Sequence, residues 1–222
     1  MYILTTTYYL IIEYLLIVYL KIKRLFFLNP PEDWKNGEKG DVVIILGFGE
    51  TWVFLEKISK HLFSKGYRIH FLPDYFYGFK SISRYTEILK EYVDSNKLKD
   101  IIIIAHSKGG LIAKKYLDSE KNSEIIKLLI TICTPFQGTM FGHLRFLSLK
   151  ELRSREVIKN ISSVSTHNNK IINLYPKLDN HIIPNKNSLL LNGQNILVDI
   201  IGHTRILESD ETLKIIDRAI ES

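Results

Sequence analysis

Cysteine and metal-binding patterns are scarce in this sequence. Its 222 residues include one cysteine, Cys133, so no disulfide can form within the chain and no cluster of thiolates can hold a metal. The histidines and carboxylates show no spacing typical of metal ligands, and no G-x-x-x-x-G-K-[ST] phosphate loop occurs. We therefore expect a protein that needs no metal and no cofactor.

Long runs of one charge are also missing. The 30 basic and 24 acidic residues give a net charge of +6 that is spread along the chain. Because the sequence has no DNA- or RNA-binding motif, we expect no nucleic-acid partner, whereas a diffuse basic excess favours anionic membrane surfaces. The chain is 45% hydrophobic and 24% charged, which is typical of one globular domain with a sizeable core.

What the sequence does have is a long apolar N-terminal segment, residues 1–28. Between residues 3 and 20 the only charge is Glu13. As a helix this stretch would extend about 27 Å, close to the hydrocarbon thickness of about 30 Å. The apolar side chains offset the cost of a mid-membrane carboxylate, about 2.5–3.5 kcal/mol. The segment is therefore a candidate membrane anchor.

The sequence around this segment bears on its orientation. Lys21, Lys23 and Arg24 follow it directly, so a spanning segment would leave the rest of the chain in the cytoplasm by the positive-inside rule. We expect no cleaved signal peptide, because no basic n-region and no small-residue cleavage site is present. The alternative for the segment is a hydrophobic helix or strand that packs on the domain or lies in the membrane interface. The alternative localisation is that of a soluble protein in the cytoplasm.

The rest of the chain divides into a linker and one domain. Residues 29–40 contain prolines and glycines typical of a linker, and residues 41–222 alternate strand-like runs with amphipathic helix patterns. This alternation predicts an α/β fold with a mostly parallel sheet and helices on both faces. The predicted strands are residues 41–46, 67–72, 101–104, 125–133, 170–175 and 195–201. The predicted helices are residues 52–64, 81–96, 111–117, 147–159 and 208–221.

The central predicted strand ends at a serine between small residues. Four isoleucines at 101–104 are followed by Ala105, Ser107 and Gly109, before the helix pattern starts at Leu111. A strand, a tight serine turn and a helix form the setting of a nucleophile elbow, where small residues on either side of the serine avoid a collision. The alternative is an ordinary strand–helix turn in which the serine caps the helix.

A serine hydroxyl is a poor nucleophile near pH 7 and needs a base that a third group holds. His203 follows the last predicted strand, and Asp179 follows the strand before it. Asp199, inside the last strand, is the reserve candidate for the acid. Glu50, in the loop after the first strand, is expected to polarise the site or cap the next helix.

The remaining histidines have weaker claims to a role. His106 adjoins the serine and is expected to point away from its hydroxyl. His181 lies near Asp179, where a solvated loop position and a substrate contact are both compatible with the sequence. Structural or exposed positions are expected for His61, His70, His143 and His167.

Five stretches resemble the lipases and esterases of the α/β-hydrolase superfamily. Residues 105–109, A-H-S-K-G, are similar to the G-x-S-x-G turn with alanine in place of the first glycine. Residues 134–139, T-P-F-Q-G-T, resemble the family's T-P-H-x-G-T segment. Residues 179–184 and 202–207 are similar to its D-x-x-V-P and G-H-x-x-L patterns, with isoleucine in place of the valine. Residues 46–49, L-G-F-G, stand where the family has H-G-x-G.

The resemblance implies an α/β-hydrolase fold and a carboxylic ester, in particular a lipid or acyl ester, as substrate. It implies that Ser107 is the nucleophile, His203 the base and Asp179 the acid, with an acyl-enzyme as intermediate. Because the oxyanion hole of this family is built from main-chain donors, the backbone N–H groups of Phe48 and Lys108 are the expected pair.

Late insertions in such folds commonly cover the site. Met140 and Phe141, together with Leu144 and Phe146, are therefore candidate substrate-binding residues, with ordinary core positions as the equal alternative. An acyltransferase or a thioesterase would use the same triad. An inactive, membrane-tethered binding protein with this fold is the third possibility.

Overall fold

Six parallel strands form the centre of the structure. The computed structural model describes residues 2–73, 75, 77–140, 150–152, 155–162 and 165–221, and among these residues one sheet runs in the order β2-β1-β3-β4-β5-β6. Its strands are β1 Asp41–Ile45, β2 Arg68–Phe71, β3 Ile101–His106, β4 Ile126–Ile132, β5 Ile171–Leu178 and β6 Gln194–Ile201. Every neighbouring pair of strands is parallel, as the alternation of strand and helix patterns predicts.

Helices follow most of the strands. In the described part of the chain they are α1 Tyr2–Phe26, α2 Glu56–Ser64, α3 Ile82–Ser95, α4 Lys108–Leu117, α5 Glu120–Ser123, α6 Arg155–Ser162 and α7 Asp210–Glu221. Short 3₁₀ turns lie at Glu32–Asn36, Trp52–Leu55, Thr166–Lys170, Asn185–Ser188 and Arg205–Glu208. Helix α4 begins three residues before the predicted start. The sequence pattern does not reveal this first turn, because the turn contains two glycines, which have low helix propensity.

The strands contribute side chains to two cores, one on each face of the sheet. Val42 and Ile44 of β1 pack in a core with α1, α2 and α7. Val43 and Ile45 pack in a second core with α3, α4 and α6. Because helices cover both faces, the strands are apolar on both sides. The predicted architecture, a parallel sheet between two layers of helices with an N-terminal hydrophobic helix, is confirmed.

The N-terminal helix α1 packs on the domain through one of its sides. The carboxylate of Glu13 is fully buried and accepts hydrogen bonds from the backbone N–H groups of Thr204 at 2.7 Å and Arg205 at 2.9 Å. Leu20 is buried in the same core as α2 and α7. No helix within the described residues has both the length and the apolar character that a membrane crossing requires.

The opposite side of α1 carries exposed apolar side chains. They recur at steps of three and four residues, which aligns them along one face of the helix. We call this row the outer apolar stripe; its members are Leu4, Tyr8, Ile11, Leu15, Val18, Ile22 and Leu25.

The carboxyl ends of the strands bring distant parts of the sequence to one edge of the sheet. Residues 46–51 follow β1, Ser107 follows β3, Asp179 follows β5 and His203 lies just after β6. Open parallel sheets bind their ligands at this edge. The fold therefore collects every residue expected to take part directly in the reaction on the same side of the molecule.

Candidate active site

Ser107 lies in a strained turn between β3 and α4. Its φ of 51° and ψ of −122° lie in a region of backbone conformation that residues with a Cβ atom rarely adopt. Gly109 is necessary at the turn, because a Cβ there would lie 2.5 Å from the carbonyl oxygen of Ile45. The Ser107 side chain makes no capping hydrogen bond to α4. This is the backbone geometry of a nucleophile elbow and not that of a serine-capped helix.

His203 and Asp179 form a buried hydrogen-bonded pair. Nδ1 of His203 lies 2.8 Å from Oδ2 and 3.0 Å from Oδ1 of Asp179. Oδ1 also accepts hydrogen bonds from the backbone N–H groups of His181 at 2.7 Å and Ile182 at 2.9 Å. The carboxylate is therefore held by the loop that carries it, and its contact with Nδ1 leaves Nε2 as the nitrogen of His203 that can accept a proton.

Burial and charge act in opposite directions on this pair. Burial raises the pKa of Asp179, but the charge of His203 and the N–H donors outweigh it, so the pKa of Asp179 lies below its ordinary value. Burial lowers the pKa of His203, but the charge and hydrogen bond of Asp179 outweigh it, so the pKa of His203 is raised. The environment thus favours an ionised acid beside a histidine of increased basicity.

His181 packs directly on His203. The centroids of the two rings are 4.5 Å apart, and His181 lines the same pocket as His203. Burial, followed by the charge of His203, lowers the pKa of His181 to about 3, so this ring is neutral at pH 7. The side chain of His181 is partly exposed and lines the pocket, so a ligand in the pocket could reach it.

The two expected oxyanion donors lie next to the serine turn. Phe48 and Gly49 line the pocket together with Ser107. Gly49, with a φ of 74°, donates its N–H to the carbonyl of Tyr77 at 2.7 Å, which fixes the end of the loop. The N–H of Lys108 belongs to the first turn of α4, where helix N–H groups have no acceptor within the helix.

The side chain of Lys108 is fully buried beside the turn. Its Nζ donates to the carbonyl oxygens of Gly78 at 3.0 Å and Lys80 at 2.7 Å. Burial lowers the pKa of Lys108 to about 8, while Glu151, 4.0 Å away, acts in the opposite direction. The Lys108 side chain therefore ties the segment around residues 78–80 to the start of α4, a contact that the serine-turn pattern does not reveal.

A second carboxylate–histidine pair, which the sequence patterns missed, adjoins the site, and Glu50 of this pair lines the same pocket as Ser107. Glu50 and His106 are both buried; Oε1 of Glu50 contacts Nδ1 of His106 at 2.5 Å, and Oε2 accepts the N–H of Gly47 at 2.5 Å. On its other side, His106 donates from Nε2 to the backbone carbonyl of His203 at 3.1 Å. Glu50 therefore bonds back into its own loop and to His106, and the expectation that it caps the next helix is not met.

A cavity of about 340 Å³ opens beside Ser107 and His203. Most of its walls are apolar, and three of the lining residues belong to α1: Tyr14, Ile17 and Lys21. Further lining residues are Phe54, Pro135, Thr139, Leu152 and Ile182. The N-terminal helix therefore forms part of the wall of the candidate active site. In the sequence of this helix, the one sign of a packed position is the single charge of Glu13.

The structure does not bring every expected residue into the site. Met140 is 61% exposed, and the described lining of the cavity does not include it. Phe141, Leu144 and Phe146, which share that expectation, lie outside the described residues. The reserve acid Asp199 has a side chain that is 72% exposed and forms an ion pair with Lys177 at 3.0 Å, so it does not serve His203.

Cys133 lies close to the two histidines. One ligand atom from each of His106, Cys133 and His203 falls within 4.8 Å of the others. However, both ring nitrogens of His106 are used in hydrogen bonds, and Sγ of Cys133 contacts the carbonyl of His203 at 3.5 Å. Burial, followed by the charge of Asp179, raises the pKa of the Cys133 thiol well above its usual range. These contacts account for the cluster, and we assign no metal to it.

Sequence comparison finds one partial match to a known family. The model of the PGAP1-like alpha/beta domain matches residues 81–181, which run from the start of α3 to the loop after Asp179. No curated protein matches the sequence.

Solved structures of similar fold are numerous at low sequence identity. MGS-MChE2, an alpha/beta hydrolase enzyme from the sediment metagenome of the Mar Chica lagoon, shares 18% identity at a TM-score of 0.60, over 84% of this chain and 92% of that one. The mature lipase BlEst2 of Bacillus licheniformis shares 14% identity at a TM-score of 0.66, over 86% and 95%. Est1E of Butyrivibrio proteoclasticus shares 16% identity at a TM-score of 0.58, over 82% and 89%.

At such identities the similarity establishes the fold. The parallel sheet with helices on both of its faces is the architecture that this chain shares with these structures. The chain therefore has the fold of the α/β-hydrolase superfamily.

Proposed function

We propose that the chain is a serine hydrolase that cleaves carboxylic esters, with acyl esters of lipids as its substrate class. One observation carries this proposal: His203, which hydrogen-bonds to the buried Asp179, lines the same pocket as Ser107, and Ser107 is held in the strained elbow conformation. A binding protein with this fold would need neither the pair nor the strain. The similarity to lipases and esterases supports the same reaction class.

In the proposed reaction, Nε2 of His203 takes the hydroxyl proton of Ser107 while the serine oxygen attacks the ester carbonyl carbon. The carboxylate of Asp179 holds the ring and stabilises its positive charge. His203 then gives the proton to the leaving alcohol, which leaves an acyl-enzyme. Water attacks this ester with His203 again as the base, and the carboxylic acid is released.

The oxyanion that forms in both steps would be held by backbone N–H groups of Phe48 and Lys108. Loss of one donor of this kind typically costs about 2.7–4 kcal/mol of transition-state stabilisation. Because these donors belong to the main chain, the leucine that replaces the family's histidine at position 46 does not remove them.

The apolar wall of the cavity favours an acyl chain as the bound group. Ile17, Phe54 and Leu152 line it together with Phe48 and Ile182. A hydrocarbon chain that buries its surface against such residues gains about 25 cal/mol for each Å² removed from water. Lipid esters fit this lining better than small polar esters do.

The outer apolar stripe of α1 supports a lipid surface as the place where the substrate is met. The stripe is exposed, and the opposite side of α1 contributes Tyr14 and Ile17 to the cavity. Lys21, which lines the cavity, and the neighbouring Arg24 give this end of the helix a positive charge that complements anionic lipid headgroups, whereas Lys23 is ion-paired with Glu56. We propose that α1 lies in the plane of an anionic membrane surface.

Labelling with a fluorophosphonate probe tests the hydrolase proposal. We expect the folded protein to react covalently, and Ser107→Ala to abolish the labelling. Ser64→Ala, an exposed serine on α2, is the matched control and should label like the wild type. Absence of labelling on the folded wild-type chain would remove the enzyme proposal.

A series of p-nitrophenyl esters of increasing acyl length tests the substrate class. We expect kcat/KM to rise with chain length, because the cavity wall is apolar. Reaction with short acyl chains only would replace the lipid proposal by a small-molecule esterase, while leaving the hydrolase proposal intact.

A further inference from the structure

The Glu50–His106 pair connects three of the loops that build the candidate active site. Glu50 belongs to the loop after β1, which carries Phe48, and its carboxylate closes that loop by accepting the N–H of Gly47. His106 is the last residue of β3 and precedes Ser107. Through Nε2 it reaches the backbone carbonyl of His203, in the loop after β6.

The hydrogen-bond partners of Glu50 and His106 define which groups of this pair donate and which accept. A backbone carbonyl only accepts, so Nε2 of His106 must carry a hydrogen. Burial raises the pKa of Glu50, but the charge of His106 and the hydrogen bonds outweigh it, so the pKa of Glu50 is lowered and the carboxylate is ionised. The ionised carboxylate also accepts from Nδ1, so His106 donates one hydrogen bond to Glu50 and one to the carbonyl of His203.

Stability alone is a weak reason for such a pair. A buried ion pair loses its hydration, and its replacement by apolar side chains of similar volume is often neutral or stabilising. The Glu50 and His106 side chains are 6% and 0% exposed, so solvent does little to relieve this cost. The contacts instead act on geometry, because each loop contributes one group to the proposed reaction.

We propose that Glu50 and His106 are positioning residues that hold the loop of the oxyanion donor Phe48 at a fixed distance from the loop of the base His203. The inference rests on the proposed hydrolase function. Glu50 lines the pocket of Ser107 and His203, whereas His106 is not among its described lining residues. Neither residue is the nucleophile or the base of the proposed reaction; each acts through the backbone that it holds. A misplacement of about 1 Å in such a site can cost about 10²-fold in rate.

Two substitutions of His106 separate the two contacts. The Asn amide resembles the Nδ1 side of imidazole, so His106→Asn keeps a donor for Glu50 and loses the bond to the carbonyl of His203. The Gln amide resembles the Nε2 side, so His106→Gln keeps the donor for His203 and loses the one for Glu50. Glu50→Gln removes the charge and leaves one amide oxygen for two N–H donors.

The experiment measures kcat and KM for a p-nitrophenyl ester, together with the rate of fluorophosphonate labelling. For each of the three variants we expect kcat and the labelling rate to fall by about 10- to 100-fold with KM little changed, because only the arrangement of reacting groups is altered. The double variant Glu50→Gln with His106→Asn should lose less than the product of the two single losses, because both changes break one network.

The pH profile gives a second readout. Besides Glu50 and His106, the titratable groups that face His203 are Asp179, His181, Glu13 and Cys133. The charge of Glu50 contributes to the raised pKa of His203. Since His203 must be neutral to accept a proton, Glu50→Gln should move the acid limb of kcat/KM to lower pH.

A matched pair at the other end of the sheet is the control. His70 is buried and contacts Asp41 through Nε2 at 2.9 Å, at the edge opposite the site. His70→Gln should lower the melting temperature and leave kcat unchanged. If Glu50 and His106 had a purely structural role, their substitutions would likewise lower the melting temperature and leave kcat unchanged.

The outcomes separate this inference from the function on which it rests. If the wild type neither labels nor turns over esters, the proposed function fails. If the wild type is active and the folded variants keep its kcat and labelling rate, the positioning role of Glu50 and His106 is wrong. Should Glu50→Gln fail to fold, the two His106 variants still decide, since each retains one of the two contacts.

Discussion

At the scale of single residues, the two carboxylates that could serve His203 have opposite surroundings. Asp179 is buried, accepts two backbone N–H groups and contacts Nδ1 of His203. Asp199 lies on the surface with Lys177. The charge of His203 and the hydrogen bonds to the carboxylate outweigh burial and keep Asp179 ionised, and the same bonds hold it in place, which is what the proposed role requires.

Asp179→Asn should therefore lower kcat by about 10⁴-fold, as loss of the acid does in triads of this kind. It should also move the acid limb of kcat/KM to lower pH. The charge of Asp179 outweighs burial and raises the pKa of His203, so its removal lowers that pKa, and activity then appears at lower pH. Stopped assays over a range of pH measure both effects.

Asp199→Asn is the control for this substitution and should leave kcat and the pH profile unchanged. The assignment of the acid would be overturned if Asp199→Asn lost activity while folded Asp179→Asn kept it.

Residue types and their order were sufficient to place Ser107, Asp179 and His203 after three strands of the sheet, because each of these residues follows a recognisable strand. The Glu50–His106 pair was not predictable in this way. Its geometry depends on a loop and a strand end whose paired residues are 56 positions apart in the chain, and nothing local to either residue indicates the other. The exposure of Met140 was not predictable either, because an apolar residue type next to a site signals neither the direction nor the exposure of its side chain.

At the scale of elements, α1 shows why a long apolar segment was ambiguous. The hydropathy of residues 3–20 is compatible with both a membrane anchor and a packed helix, and only the placement of Glu13 distinguishes the two. In the structure this carboxylate binds two N–H groups of the turn that follows His203. Gly202 leaves the space, since a Cβ there would lie 2.3 Å from Oε2 of Glu13.

Glu13→Ala should destabilise the protein, because it leaves the N–H groups of Thr204 and Arg205 buried without acceptors. Each unsatisfied group costs about 1–3 kcal/mol. Urea unfolding of the full chain measures the loss, and Glu13→Gln, which keeps one acceptor, should fall between the wild type and the alanine variant.

Ile11→Ala, on the exposed side of the same helix, is the control and should change the free energy of unfolding by no more than about 0.5 kcal/mol. Equal stability of Glu13→Ala and the wild type would show that α1 does not depend on this contact.

The strands and most helices were predictable because their apolar periodicity is strong. The boundaries were less so. β5 continues through Pro176 to Leu178, although the predicted strand ends at Tyr175. This is possible because β4 pairs with β5 only as far as Leu174, so the proline removes no hydrogen bond from that neighbour.

At the scale of the whole molecule, exposed apolar surface and the cavity share one helix. The outer apolar stripe lies on the helix that also contributes Tyr14, Ile17 and Lys21 to the cavity wall. A row of exposed apolar side chains of this length is unusual on a soluble surface and marks an interaction site. The position of the cavity behind the same helix favours a lipid surface over a protein partner, because an acyl ester could then pass from the membrane into the pocket.

Sedimentation with lipid vesicles tests this arrangement in full. We expect the protein to bind vesicles that contain anionic phosphatidylserine more tightly than vesicles of phosphatidylcholine alone, with binding to the anionic vesicles weakened by salt as surface electrostatics are screened. The double variant Leu15→Gln and Val18→Gln removes apolar surface from the centre of the stripe and should release the protein from both kinds of vesicle. Leu191→Gln with Leu197→Gln, two exposed leucines outside α1, is the matched control and should bind like the wild type.

The contrary outcome is a wild-type chain that does not bind vesicles and elutes as a dimer in size-exclusion chromatography. If the double variant Leu15→Gln and Val18→Gln then elutes as a monomer, the stripe is assigned to contact with a second copy of the chain instead.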